Sequence, residues 1–262
     1  MEFSLRIFAV GFCLLAAGCA GLPSQVPQAL DATLLVADAN PQSPVKTWSA
    51  AWQHYPLPGK ESTEYSPTRL DGRDAMAARA VSSASLFRQR VNIPASDLDR
   101  IKFSWKVPEL MAQADLAARD NADSTVRIVL AFDGDRSRFS MKNSMMSELA
   151  HVMTGEPMPY ATLMYVWCNS REAGSVITSS RTDRIRKIVV ESGAKNLNSW
   201  LDYERDIRAD FEKAFGEAPG ALVGIGIMTD SDNTRSRTQA WYGPVTLTGK
   251  ALSLASNATA QK

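Results

Sequence analysis

The chain has 262 residues, and its 29 lysines and arginines nearly balance its 28 aspartates and glutamates, for a formal net charge of +1. That balance supplies no electrostatic footprint for nucleic acid, which is not expected as a partner. The length suits one large domain or two small ones. At the amino end Arg6 is the only basic residue before an apolar run from Ile7 to Ala17. As a helix this run is about 16 Å long, and a membrane span needs roughly 20 apolar residues. A short basic region, a short apolar region and then small residues predict an export signal rather than a span.

The signal ends in Ala16, Ala17, Gly18 and Cys19. This run resembles the bacterial lipobox, and the resemblance implies cleavage before Cys19 and a lipid on its thiol. Two or three acyl chains, at about 0.8 kcal/mol per buried methylene, would hold the protein to a membrane. Ala20 follows where an aspartate would mark inner-membrane retention, so the expected place is the bacterial outer membrane, facing the periplasm. The predicted organisation is a leader over 1–18, a lipidated Cys19 with a tether over 19–46, one domain over 47–250 and a frayed tail over 251–262. Pro23, Pro27, Pro41 and Pro44 mark the tether, which has one possible short strand at Leu34 to Ala37. Cys13 leaves with the leader and Cys19 takes lipid, so Cys168 has no partner for a disulfide. It reads as a small buried hydrophobe.

Strand signals dominate the domain. Tyr65 to Leu70 and Ala75 to Val81 flank Asp71 and Gly72, a hairpin turn signal. Leu86 to Ile93 and Ile101 to Val107 follow, the second alternating apolar and polar with period two. Thr125 to Phe132 suits a central strand. Thr162 to Trp167, Arg186 to Glu191, Ala221 to Met228 and Ala240 to Leu247 complete the set. Two helices interrupt them. Ser144 to Met153 puts Met145, Leu149, Val152 and Met153 on one stripe and ends at Gly155. Asp206 to Phe215 starts on an aspartate cap and stops at Gly216. Many strands with two short helices predict an all-β to α+β fold, an antiparallel β-sandwich of jelly-roll type.

A resemblance to a known family enters in the last third. Val189 to Gly193, Trp200, Arg205 to Ile207, Asp210 and Phe211, then Gly224 to Thr234 and Ala240 to Gly243 resemble DUF3047, a family of bacterial exported proteins. Tyr65, Asp71, Gly72, Phe103 to Trp105, Arg127 to Phe132 and Leu163 to Trp167 fit its earlier blocks. The resemblance implies a sandwich similar to carbohydrate-binding modules and implies no established activity.

Asp230, Ser231, Asp232, Asn233 and Thr234 form the densest oxygen cluster. Alternate strand residues share a face, so Asp230 and Asp232 are expected to point together. With Asn233 they could hold Ca²⁺, although neither the glycine nor the closing glutamate of an EF-hand is present; a self-bonded loop is the simpler reading. Asp133 and Asp135 read as turn residues, and Arg119 to Asp123 as a solvated loop. Arg184 belongs to a small basic cluster with Arg181, Arg186 and Lys187 that could meet an anionic sugar or headgroup, a solvated sheet face being the simpler reading. Trp167, Trp200, Trp241 and Tyr242 could stack on sugar rings, with core packing the simpler reading for each; Trp241 and Tyr242 must face opposite ways. No catalytic residue is assigned, because only His54 and His151 exist and no nucleophile elbow or zinc motif is present. The expected function is noncatalytic binding of a glycan or other polar envelope component. An envelope scaffold binding another protein is the first alternative. A glycosidase using a pair such as Asp133 and Asp230 is the second.

Overall fold

The computed structural model describes residues 48–248, all within one compact unit. Cys19, the tether with Leu34 to Ala37, and the tail lie outside the described residues. In chain order the elements are β1 (Trp52–Pro56), β2 (Glu64–Leu70), β3 (Arg73–Val81), β4 (Ala84–Ile93), β5 (Arg100–Lys106) and β6 (Ser124–Phe132). Then come α1 (Met141–Thr154), β7 (Ala161–Cys168), β8 (Val176–Thr178), β9 (Ile185–Ser192), β10 (Trp200–Asp206) and α2 (Ile207–Phe215). The chain closes with β11 (Leu222–Asp230), β12 (Arg237–Tyr242) and β13 (Thr246–Thr248).

The strands form two sheets, as the predicted sandwich requires. One has seven strands in the order β1-β4-β11-β6-β7-β9-β8; the other runs β10-β5-β12-β3-β2, with β13 added alongside β5. Every pairing is antiparallel except β7 with β9, a parallel pair that the expected all-antiparallel pattern did not include. The connection between them carries β8, which runs antiparallel on the far side of β9 and closes the sheet there.

Period-two alternation makes the core. Ile128, Leu130, Leu163, Tyr165 and Ile227 from the larger sheet meet Met76, Ile101, Phe103, Trp105 and Tyr242 from the smaller. Burying each such side chain contributes about 1.5–3 kcal/mol. The β2–β3 hairpin turns on Asp71 and Gly72, with φ of 51° and 75°. Two successive positive φ values match the right-handed strand twist, which is why an aspartate–glycine pair serves there.

Both helices stop where the glycines predicted: Gly155 and Gly216 are left-handed, with φ of 75° and 70°. Asp206 caps α2 by accepting from the Ala209 amide. α1 starts three residues before the predicted position, because Ser140 is the cap and accepts from the Asn143 amide. Its apolar stripe faces outward: Met141 is 82% exposed and Val152 80%, whereas Asn143 is 1% exposed. Hydrogen bonds set this rotation. The Asn143 amide donates to Asp183 at 2.7 Å and accepts from the Thr182 hydroxyl at 2.8 Å.

Three strands escaped the sequence reading: β1, β8 and β10. β10 runs without a loop into α2, so its alternation merges with the helix signal. The predicted strand Ala240 to Leu247 is two strands. They separate at Gly243, whose backbone passes so close to β5 that an added Cβ would lie 2.1 Å from the Ser104 hydroxyl.

Candidate functional site

β6 and β11 are neighbours, and their register pairs Ser124 with Asp230 at one end of the larger sheet. Arg127 and Asp230 bond there, guanidinium to carboxylate, at 2.9 Å, and both are buried. The other Asp230 oxygen accepts from the Ser124 amide at 2.8 Å. The turn after β11 folds back over the start of β6. Asp123 holds that turn, accepting from the Thr234 amide and hydroxyl, both at 2.7 Å, and from the Asn233 amide at 3.2 Å. Lys60 donates to Asp232. Asp123, Asp230 and Asp232 thereby bring one oxygen each within 4.8 Å of one another.

The prediction that Asp230 and Asp232 meet holds in outcome but not in cause. β11 ends at Asp230, and the turn, not strand alternation, returns Asp232. Asp123, read as part of a solvated loop, is 1% exposed and is the third carboxylate. Its partners are more than a hundred residues away, so no local signal marks it. Arg127 was missed in the same way, and Lys187, read with Arg184 as part of a basic cluster on a solvated face, is turned inward. Lys187 is buried and donates to the Leu116 carbonyl at 2.6 Å.

The electrostatics are those of buried charge. Burial raises the Asp230 carboxyl to about 6 despite Arg127 beside it, and nearby Asp123 reinforces the rise. Burial, with Arg127 adding repulsion, lowers the Lys187 ammonium to about 8. Calcium takes six to eight oxygens. Here Arg127, Lys60 and backbone amides already meet carboxylate oxygens of the trio. The donor set therefore fits an internal latch better than a calcium cage.

The remaining candidates do not converge on this cluster. Asp133 follows β6 at the opposite end from Asp230, eight or so residues of strand away. At about 3.3 Å per residue that separation far exceeds the roughly 5–9.5 Å of a glycosidase pair, so Asp133 and Asp230, the pair named for the second alternative, do not meet, and Asp133 stands as the turn residue expected. Trp167 is core, with its indole N–H donating to the Gly193 carbonyl at 2.9 Å. Tyr242 is core too, its hydroxyl 2.7 Å from the Met228 carbonyl. Arg184 precedes β9, bonds Glu217 at 2.6 Å and lies over the Tyr160 ring at 4.1 Å. Asn233 and Thr234 are engaged with Asp123, as above. Cys168 is buried and free, as expected of a packing residue.

Trp241 does face away from the core, opposite to Tyr242, and it has company. The register of the smaller sheet puts Trp241 beside Lys106, and Lys106 beside Trp200. All three lie half-buried on the outer face. The two tryptophans are two strand spacings apart, roughly 9.5 Å. Charged groups rim them. Lys106 donates to Asp71 at 2.7 Å. Arg73 lies over the Trp200 ring at 5.4 Å and bonds Asp202 at 2.8 and 3.0 Å. Sequence reading had both tryptophans as candidates but could not align them, because it lacked β10.

Comparison with known proteins bears on the fold and the family. The profile of one family, described as a protein of unknown function (DUF3047), matches residues 50–246. The chain belongs to the DUF3047 family. No curated protein matches it in sequence. Among solved structures, this DUF3047 chain is similar to a family 11 carbohydrate-binding module of the cellulosomal cellulase Lic26A-Cel5E of Clostridium thermocellum. Identity is 10% and the TM-score 0.39, over 78% of this chain and 91% of that one. It is also similar to the xyloglucanase domain of NopAA, a type three effector from Sinorhizobium fredii, solved with cellobiose. There identity is 11% and the TM-score 0.39, over 76% and 93% of the two chains.

Proposed function

We propose that this DUF3047 protein is a noncatalytic glycan-binding module of the bacterial envelope, tethered to the outer membrane through lipid on Cys19 and facing the periplasm. The observation that carries the binding reading is the row Trp241, Lys106, Trp200 on the outer face of the smaller sheet. Pyranose rings present flat faces of C–H bonds, which pack on indole faces. Two indoles about 9.5 Å apart match rings separated along an extended chain. Lys106, Asp71, Arg73 and Asp202 then surround the stacked rings with hydrogen-bonding groups. A few well-placed aromatics carry most of the energy in such surfaces.

The acidic trio plays a structural part in this reading. Its carboxylates are held by Arg127, Lys60 and backbone amides. The test is a glycan array followed by calorimetry on the best ligand. Trp241→Ala and Trp200→Ala should each weaken binding by at least about tenfold, near 1.4 kcal/mol, with little change in melting temperature. Full affinity in both variants, or no envelope glycan bound by the wild type, would sink the proposal.

A further inference from the structure

α1 is an amphipathic helix mounted the wrong way round for a core helix. Its inner face is mostly polar or small, with Asn143, Ser147, Ala150 and Thr154 beside the half-buried Met146. Its outer face carries Met141, Met145, Leu149, Val152 and Met153, from 56% to 82% exposed. Contiguous apolar patches of this kind on soluble domains mark contact surfaces. The helix has 14 residues, about 21 Å, so it can lie on a bilayer but not cross one.

Where the chain enters the domain says what covers the stripe. The first described residues, Trp48 and Trp52, pack on Phe87 of β4. Arg88 and Arg90 of that same strand both grip Glu156, the residue just past the glycine cap of α1. Trp52 pairs with Gln89, between the two arginines, so the described chain begins one strand from the residues that reach the end of α1, although Phe87 and the arginines point to opposite faces of β4. Positions 20 to 47, 28 residues, separate Cys19 from Trp48. Lys142 flanks the stripe, and Arg136 and Arg138, exposed just before the helix, pair with Asp133 at 3.6 Å and Glu217 at 2.9 Å. Lys142 suits an anionic headgroup. The stripe lacks the central aromatic or arginine anchor that dominates protein–protein contacts.

We infer that α1 is an interfacial helix that lays its methionine, leucine and valine stripe into the membrane to which the chain is tethered. This rests on the anchoring reading above. The helix is a second, weaker attachment that fixes which face of the sandwich points away from the lipid. Acyl chains alone hold the domain near the bilayer without orienting it.

The stripe carries its own probes, because exposed methionines oxidise and lipid-covered ones are shielded. The full acylated chain is placed in phosphatidylethanolamine–phosphatidylglycerol vesicles and treated with dilute peroxide, and oxidation is read by mass spectrometry. Met141, Met145 and Met153 should oxidise about fivefold more slowly than in the Cys19→Ser chain without vesicles. Leu149→Glu with Val152→Glu should restore the rate with an unchanged melting temperature, since both side chains are exposed. The mass of the amino-terminal peptide tests the anchor separately. If Cys19 carries no lipid, the anchoring reading fails, and protection of the Cys19→Ser chain by added vesicles still supports the helix. No protection by vesicles in either chain overturns the inference. Protection without vesicles also overturns it, assigning the stripe to a second copy if it rises with protein concentration and to the chain itself if it does not.

Discussion

Arg127 and Asp230 illustrate how much one buried pair demands of its surroundings. The guanidinium Nε of Arg127 has no partner, and the remaining nitrogens serve Asp230 and the Ala122 carbonyl. Removing either charge strands the other away from water. Arg127→Met should therefore destabilise the fold by about 3–5 kcal/mol, and Asp230→Asn by less at neutral pH, because burial already disfavours the ionised carboxylate. In the Arg127→Met background, Asp230→Asn should cost much less than it does alone. Urea unfolding of the four proteins measures this coupling, and simple additivity would show that the pair is not a unit. Trp241 makes the opposite case. It is half-exposed and off the core, so its truncation is expected to touch binding rather than stability.

At the scale of elements, α1 shows the division between local and tertiary control. Ser140→Ala should cost about 1 kcal/mol, because the Asn143 amide loses its acceptor. Gly155→Ala should cost a similar amount, since alanine resists a φ of 75°. Leu149→Glu should stay within about 0.5 kcal/mol of wild type, although it removes a large apolar side chain. Thermal denaturation distinguishes these, and a large loss for Leu149→Glu would mean that the stripe is packed. The glycine cap and the stripe of α1 are legible because they depend on residues within a few positions of one another. The direction the stripe faces is not, because Asn143 is turned inward by Asp183 and Thr182, about forty residues on. β10 was hidden for a different reason: Trp200 to Asp206 alternates as a strand should, but Asp206 is also the helix cap, and the two signals overlap.

For the whole molecule, the buried cluster predicts a particular pH dependence. Asp230 titrates near 3.8 unfolded and near 6 folded, so the folded state holds the extra proton between those values. Its contribution is full below pH 3.8 and is lost as pH rises toward 6, on the order of 2–3 kcal/mol. Lys187 acts at the other end. Its ammonium titrates near 8 folded against 10.5 unfolded, so its contribution grows from about pH 8 to 10.5. The difference in unfolding free energy between wild type and Asp230→Asn should therefore slope between about pH 4 and 6 and be flat from 6 to 8. A flat difference across the acid range would refute the raised Asp230 value.

The sequence by itself determined the two-sheet class, the Asp71–Gly72 turn, the ends of both helices and the opposition of Trp241 to Tyr242. All of these follow from alternation, glycine conformation or capping, which act over a few residues. Only the tertiary structure decided the rest. It buried Asp123 by closing a turn over it, separated Asp133 from Asp230 by the length of a strand, aligned Trp241 with Trp200 across Lys106 and turned α1 outward. Each of those outcomes depends on pairing between segments far apart in the chain. Such pairing is set by the collective packing of two sheets, and no single stretch of residues encodes it.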